Sequence, residues 1–495
     1  MNKNIGSNLF WIYFRESSTI FLKVIVLAIL SRNVAISDFG LLAIASIFIR
    51  FFSIICLKTI DSYVIFVKEK EDFQEKLNSA FWLDVLLGIT CFLFLILFLP
   101  YYLKAYDSVV IYKKLELVVI VLAIQIPLDS LYRVPDAILS KNFKLKQIQI
   151  RDTCIKTFTS LLSILMALNG NGIWSLVIPV ICTSSLKVVT SYITNNWRPK
   201  LYINFKHFGE IIKYSISIIG ANLTSLIINE GDTLIIGKFL GTELLGIYNF
   251  SWQTSNIVKR TISGGISGLS LPILSKSNHD FKKLTDDFIY ISRIIVITSA
   301  PIIITIAILS DNLILSLYGE KWTKSIVPLL ILSFTQLRLL STSQIIFLNQ
   351  SIGKPFINFK LNLYCAPLYL ISIFFATRYG IICVALTGTI VRILFCIVSW
   401  KITANLLKEN FYILIRKIYS PLKLAFTNGL LLLIIKLNLI NFIKNDLMIL
   451  ISGTIISMVI TFLLINFIFK DIKSDLIRSF KIILPRNIFN KILIK

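Results

Sequence analysis

Histidine is almost missing from this 495-residue sequence, which has two histidines and seven cysteines. No cysteine has Cys-x-x-Cys or Cys/His spacing, and all seven fall inside or at the ends of apolar runs. We interpret them as packing residues and expect neither a disulfide framework nor a metal site. Chemistry that needs His or Cys clusters has little to build on. The sequence therefore predicts a protein that is not an enzyme and has no cofactor.

Acidic residues and long polar segments are also scarce. The chain has 26 Asp and Glu against 51 Lys and Arg, a formal net charge of +25. No polar stretch is longer than about 26 residues, so no soluble domain can be delimited. Nucleic-acid binding would need an exposed, folded, basic surface. Since the chain lacks one, we expect no nucleic-acid partner.

Long apolar runs are what the sequence has in abundance. It is 56% hydrophobic with a mean hydropathy of +0.79, and runs of about 20 apolar residues recur, each long enough to cross a bilayer. The N-terminus shows no cleavable signal pattern, so the first run is interpreted as a retained span. The sequence predicts an all-α polytopic membrane protein of about 14 transmembrane helices. The predicted spans are approximately 8–30, 40–58, 79–99, 115–135, 152–169, 173–194, 210–230, 243–271, 288–309, 326–348, 361–377, 381–400, 418–437 and 447–469.

The charge excess is distributed unevenly between the loops. With the N-terminus in the cytoplasm, the inside loops carry about 28 Lys and Arg and the outside loops about 9. This asymmetry predicts that both termini are cytoplasmic. It leaves about 14 cations within the spans themselves.

Two segments of the chain repeat one pattern. An apolar run ends in a small residue and a cation, at Ser31-Arg32 and again at Gly237-Lys238, and a glycine follows eight residues after the cation. Repetition in so apolar a chain indicates a transporter built from two related halves.

The repeat sets the predicted domain organisation. Residues 1–200 and 207–405 are predicted to form two pseudo-symmetric six-helix bundles, joined at the linker 195–208 that contains Pro199. Residues 410–495 add two transmembrane helices and a basic cytoplasmic tail. Because each half has an even number of spans, the halves should be related by an axis along the membrane normal, with a cleft between them. Very short outside links at 169–172 and 378–380 predict two tight helical hairpins in matching places.

Cations within the spans are the candidate binding residues. A Lys or Arg at mid-membrane costs about 2.5–3.5 kcal/mol on insertion scales, and those near span ends, among them Arg133, are interpreted as interfacial anchors. The deeper ones form a predicted cationic lumen for an anion such as pyrophosphate, which Arg binds bidentately and Lys as a point charge. These are Lys23, Arg50, Lys259, Arg260, Arg338 and Arg392, and Arg15, nearer the cytoplasmic end of the first span and on the same helix face as Lys23, is included with them.

Carboxylates within the spans are fewer. Asp129 and Arg133, spaced i,i+4, are expected to form an ion pair. Glu16 and Asp84 are further neutralising groups, and with Asp129 they are the candidates for ion or proton coupling. Their number cannot balance the deep cations, which favours a hydrated cavity for an anionic substrate.

Two motifs resemble those of a known family. The segment LSRNVAISDFGLLAIA is similar to the first-loop signature of bacterial polysaccharide flippases of the multidrug/oligosaccharidyl-lipid/polysaccharide exporter superfamily. The segment GDTLIIGKFLGTELLGIYNFSW resembles the one that opens their second half. Its matching residues are Asp232, Gly237, Lys238, Gly241, Gly246 and Tyr248.

The resemblance implies a location and an activity. The protein would lie in the bacterial cytoplasmic (inner) membrane and move oligosaccharide repeat units, linked to undecaprenyl pyrophosphate, from the cytoplasmic to the periplasmic leaflet by alternating access. Its product would feed O-antigen, capsule or exopolysaccharide synthesis. The implied partners are the lipid-linked oligosaccharide, membrane lipids and the polysaccharide polymerase machinery.

Three alternatives remain open at this stage. A peptidoglycan-precursor flippase would use a similar mechanism. A drug or cation antiporter of the same superfamily would want deep carboxylates, against which the deep cations argue. An integral-membrane polysaccharide polymerase would usually present a sizeable extramembrane segment, whereas the longest predicted outside link is about 16 residues.

Overall fold

The computed structural model describes residues 22–56, 59–67, 72–103, 109–142, 144–258, 264–277, 279–354 and 356–483. Within these ranges the regular structure is helical and no β-strand occurs. The predicted all-α fold is confirmed. By their internal contacts, residues Met1–Asn249 and Phe250–Lys495 form two compact units, here called unit 1 and unit 2. The bundle boundaries inferred from the repeat stay a prediction.

Unit 1 contains ten helices in its described part, the last of which crosses the boundary between the units. They are α1 (22–33), α2 (Ile36–Ile55), α3 (Ile60–Phe66), α4 (Phe73–Leu103), α5 (Val109–Ala123), α6 (Gln125–Lys141), α7 (Leu145–Leu168), α8 (Trp174–Thr194), α9 (Phe205–Phe239) and α10 (Gly241–Val258). One core of this unit packs Ile60, Phe81 and Val134 between α3, α4 and α6.

Unit 2 continues with long helices linked by short turns. They are α11 (Gly264–Ser277), α12 (Phe281–Ile308), α13 (Ser310–Leu313), α14 (Ile326–Ser351), α15 (Phe356–Ala376), α16 (Ile381–Leu407), α17 (Phe411–Tyr419), α18 (Leu422–Phe442), α19 (Asp446–Phe467) and α20 (Lys470–Ile483). Its main core surrounds Phe288 of α12 and Trp400 of α16, both buried.

Eleven helices of the described chain are long and apolar enough to cross a membrane. Helices occupy every predicted span from the second onward, whereas most of 8–30 lies outside the described residues. The span 152–169 forms α7 but is not among the eleven. The described parts of the span 243–271 belong to α10, up to Val258, and to α11, from Gly264 onward, and residues 259–263 lie outside the described ranges. The count of fourteen therefore stays a prediction.

Both tight hairpins are confirmed. The turn between α7 and α8 uses Gly170 and Gly172, with φ of 76° and 52°. The turn between α15 and α16 uses Gly380, with φ of 89°. These left-handed conformations are open to glycine at no steric cost, which lets each pair of helices reverse direction within a few residues.

The repeated glycines form a reciprocal helix contact inside unit 1. A Cβ atom added at Gly40 of α2 would fall within 3.0 Å of the carbonyl oxygen of Thr242, and one added at Gly246 of α10 would fall within 3.0 Å of that of Ile36. In each repeat the contacted residue precedes the glycine by four positions. The contact therefore has approximate two-fold symmetry, and its glycines let two backbones touch.

The other motif positions divide into buried and exposed residues. The small residues Ser31 and Gly237 are both buried, whereas the cations that follow them, Arg32 and Lys238, are exposed. A Cβ atom at Gly237 would lie 2.9 Å from Cδ1 of Ile44. In each copy of the motif, a buried small residue that allows close packing is followed by an exposed cation.

Alanine at either repeated glycine should destabilise the protein. Gly40→Ala and Gly246→Ala force a backbone contact apart, so each should cost about 1–3 kcal/mol, as overpacking does. The measurement is the thermal unfolding midpoint of the purified protein in detergent. Gly220→Ala is the matched control, because a Cβ atom there meets nothing within 4 Å, and alanine stabilises a helix interior by about 0.5–1 kcal/mol. Equal midpoints for Gly40→Ala and Gly220→Ala would contradict the contact.

Candidate functional site

Arg392, predicted as a lumen cation, lies in α16 and is 6% exposed. Its guanidinium carbon lies 4.5 Å from the ring centroid of Trp252 on α10 and 4.5 Å from that of Tyr369 on α15. Aromatic ring faces are electron-rich and attract a desolvated cation. The two rings therefore stabilise a positive charge inside unit 2.

Arg338, a second predicted cation, lies beside the first. From α14 its Nη1 donates a hydrogen bond to the main-chain carbonyl of Arg392. Its Nε is buried and has no hydrogen-bond partner among the residues that the structure describes. A buried N–H donor without an acceptor costs about 1–3 kcal/mol. The structure therefore brings two predicted cations together and leaves one donor available to an anion.

Polar side chains stand within one turn of each arginine on the same helices. Thr335 of α14 and Thr389 of α16 share a hydrogen bond of 2.6 Å. Gln336 is fully buried, and its Nε2 donates to Oγ of Ser255 on α10 at 3.5 Å. The Oε1 atom of Gln336 lacks a partner within the described part of the chain. We name Arg338, Arg392, Trp252 and Tyr369, with these polar side chains, the arginine site of unit 2.

Arg50 lies in unit 1 and, unlike Arg392, forms an ion pair with a carboxylate. Its Nη2 is 2.5 Å from a carboxylate oxygen of Glu230 on α9, and its Nε donates to the carbonyl of Ser46 at 3.3 Å. The Arg50 side chain is 47% exposed. Sequence reasoning missed Glu230, because it stands at the very end of the predicted span 210–230 and was not counted as a deep carboxylate.

The remaining predicted cations are Lys23 and three residues outside the described ranges. Lys23 lies half-buried in α1. Four of the predicted residues lie outside the described ranges: Arg15, Glu16, Lys259 and Arg260. The structure thus unites Arg338 with Arg392 and places Arg50 apart from them in sequence and unit. Sequence reasoning did not find that the rings of Trp252 and Tyr369 contact Arg392. An aromatic residue beside a cation has the same sequence spacing as an aromatic residue that faces lipid.

The predicted coupling carboxylates lie in unit 1. Asp84 of α4 is fully buried and accepts a hydrogen bond from Nη1 of Arg133 at 2.8 Å, and the same Nη1 donates to the carbonyl of Cys56 at 2.9 Å. Asp129 instead accepts from Oγ of Ser184 at 2.7 Å. The predicted pair between Asp129 and Arg133 is therefore wrong. The two residues share a helix, but one turns toward α8 and the other toward α4.

The same geometry corrects the interpretation of Arg133. It was placed among the interfacial anchors, yet it is only 5% exposed. A snorkelling side chain keeps its charged end in water, whereas this one ends at a buried carboxylate. No group of three or more His, Cys, Asp or Glu side chains in the described ranges could hold a metal ion.

Solved structures share this fold. The chain is 14% identical to the lipid II flippase MurJ in an inward closed conformation, with a TM-score of 0.71 over 94% of this chain and 98% of that one. It is 12% identical to an inward-facing multidrug resistance MATE family transporter, with a TM-score of 0.65 over 79% and 95%. At such identities the likeness shows the fold alone.

The sequence itself gives the family. A family profile described as "Polysaccharide biosynthesis protein" matches residues 29–327, and the chain belongs to that family. It is 21% identical to the succinoglycan biosynthesis transport protein ExoT of Rhizobium meliloti over 65% of this chain and 64% of that one, less than two thirds of ExoT. It is 22% identical to the lipopolysaccharide biosynthesis protein WzxC of Escherichia coli over 77% and 76%. The teichuronic acid biosynthesis protein TuaB of Bacillus subtilis is 21% identical over 73% and 75%.

Removing Asp84 should destabilise unit 1 strongly. Asp84→Ala leaves Arg133 as a buried charge without its carboxylate, a change that typically costs about 3–5 kcal/mol. The double variant Asp84→Leu/Arg133→Met should recover most of that loss, because well-packed apolar pairs often replace buried ion pairs. Unfolding midpoints in detergent measure both effects.

Asp72→Ala is the control, because Asp72 forms an exposed ion pair with Lys76 at 2.7 Å and should leave the midpoint unchanged. If Asp84→Ala unfolds at the wild-type midpoint, the pair with Arg133 is not a structural element of unit 1.

Proposed function

We propose that the protein translocates lipid-linked oligosaccharide repeat units, carried on undecaprenyl pyrophosphate, from the cytoplasmic to the periplasmic leaflet. It would lie in the bacterial inner membrane with both termini in the cytoplasm, act by alternating access and serve O-antigen, capsule or exopolysaccharide synthesis. The arginine site of unit 2 carries the proposal, within a chain of the polysaccharide biosynthesis family. The proposed function includes delivery of the translocated repeat unit to the polysaccharide polymerase machinery.

The chemistry of the site suits a diphosphate. The Arg338 guanidinium contacts the main chain of Arg392, and its Nε is a buried donor without an acceptor among the described residues. Arg binds phosphate oxygens through paired N–H groups with a fixed geometry. A diphosphate offers several such oxygens and would relieve the repulsion between two adjacent cations. A drug or cation antiporter would gain nothing from this sign of charge.

Relatives favour the same substrate class. ExoT is named a succinoglycan biosynthesis transport protein and WzxC a lipopolysaccharide biosynthesis protein. Both names connect transport or biosynthesis with a saccharide polymer. They favour an oligosaccharide repeat unit over a peptidoglycan precursor as the cargo.

Loss of either arginine should impair transport. Arg338→Gln and Arg392→Gln each remove charge-assisted hydrogen bonds worth about 1.5–3 kcal/mol, which corresponds to roughly a 10- to 150-fold slower flipping of a lipid-linked oligosaccharide in proteoliposomes. Arg392→Lys should rescue only weakly, since an ammonium cannot bind bidentately. The readout is the fraction of fluorescently labelled oligosaccharide that becomes accessible to an external glycosidase.

Arg378→Gln is the matched control, because Arg378 lies in the exposed turn after α15, with its guanidinium carbon 5.8 Å from the ring of Phe375. It should flip at the wild-type rate. Wild-type flipping by the Arg338→Gln/Arg392→Gln double variant would refute the role of the arginine site. Complementation of a flippase-deficient strain, with capsule or O-antigen as readout, tests the substrate class.

A further inference from the structure

An apolar slot opens in unit 1 between α2, α4 and α9. Its volume is about 290 Å³, close to that of small ligand pockets. Leu95 and Leu99 of α4 form a buried floor, 2% and 3% exposed. Phe48 of α2, Phe98 of α4 and Leu234 of α9 are among the other lining residues, all of which are apolar. A ligand that fills this slot must itself be apolar.

Aromatic rings extend the slot along α4. The ring of Phe52 lies 5.9 Å from that of Phe94, which stacks at 4.1 Å on Phe98, which in turn lies 6.3 Å from Tyr101. The last three are exposed. Positions 94, 98 and 101 share one face of a helix, so the rings form a continuous line toward the C-terminal end of α4. We name this line the ring track.

The ion pair of Arg50 lies near the slot. Arg50 lies between Phe48 and Phe51 in sequence, and its partner Glu230 lies one turn before Leu234 on α9. The Arg50 side chain remains 47% exposed. A guanidinium attracts phosphate oxygens through its N–H groups. An apolar slot with a cation near it matches a long-chain lipid phosphate.

We propose that the slot and the ring track bind the polyprenyl chain of the transported lipid, with Arg50 beside its diphosphate end at a step of transport separate from binding at the arginine site of unit 2. The proposal rests on the proposed function, which supplies this substrate. A polyprenyl chain carries a methyl branch and a flat double bond in every unit, and such groups pack closely on aromatic faces. In the proposed orientation the ring track leads from the depth of Arg50 toward the periplasmic end of α4, along the direction of transport.

Photo-crosslinking tests the proposal. Phe98 is replaced by p-benzoylphenylalanine in the full-length protein in proteoliposomes, and radiolabelled undecaprenyl diphosphate is the probe. Leu97 is the matched control, since it is exposed at the same depth of α4 but does not line the slot. We expect at least about 10-fold more labelling at position 98. Excess unlabelled undecaprenyl diphosphate should abolish it, and excess phosphatidylglycerol should not. Equal labelling at both positions, or equal competition by phosphatidylglycerol, would overturn the proposal.

A slot-filling variant separates the slot from overall folding. Leu234→Trp should slow flipping of the full-length polyprenyl substrate roughly tenfold, as expected when about two methylene groups lose their contacts. It should leave a two-isoprene analogue unaffected, because a short chain does not reach along the track. Equal slowing of both substrates would overturn the slot.

Flipping by the wild-type protein in the same vesicles distinguishes the two proposals. If the wild-type protein flips the oligosaccharide but the p-benzoylphenylalanine variant at Phe98 is not labelled selectively, the slot is wrong and the proposed function stands. If that variant is labelled selectively but the wild-type protein flips no lipid-linked oligosaccharide, the chain-binding slot stands and the proposed function is wrong.

Discussion

Compensation of buried charge is the constraint on which this structure depends, because a cation in hydrocarbon persists only beside a partner or water. In unit 1 the charge of Arg133 is compensated by Asp84, with Nη1 2.8 Å from Oδ1. In unit 2 the charge of Lys436 on α18 is compensated by Asp311, with Nζ 2.5 Å from Oδ1. This second ion pair connects an added C-terminal helix to the rest of the unit. Such ion pairs hold their helices together, because removing one partner leaves an uncompensated buried charge. They decide which helices pack and in what rotation.

The overall architecture could be predicted from the sequence because hydrophobic length and loop charge act locally. The duplicated motif was equally visible, but its meaning was not. Spacing showed that Gly40 and Gly246 are equivalent, and only coordinates show that each touches the helix start of the other repeat. Contact between residues 206 apart depends on how two helices cross, and helix crossing leaves no periodicity in either segment.

The candidate site was predicted less completely. Depth in a span found Arg338 and Arg392, since charge in an apolar run is conspicuous. Their proximity, and the rings beside them, depend on rotation about each helix axis, which sequence position alone does not set. The balance of charge was also misjudged. Glu230 at a span end compensates Arg50, and Arg133 turns away from its neighbour in sequence toward another helix.

The way Arg392 is held bears on transport. A carboxylate partner would occupy N–H donors and compete with a diphosphate, whereas Trp252 and Tyr369 act through their ring faces at 4.5 Å and require no donor. Ring contacts can therefore persist when an anion arrives. They are also weaker than a buried ion pair. The proposed function requires the anion to be both bound and released, and ring contacts would let Arg392 gain from binding an anion without fixing the anion in place.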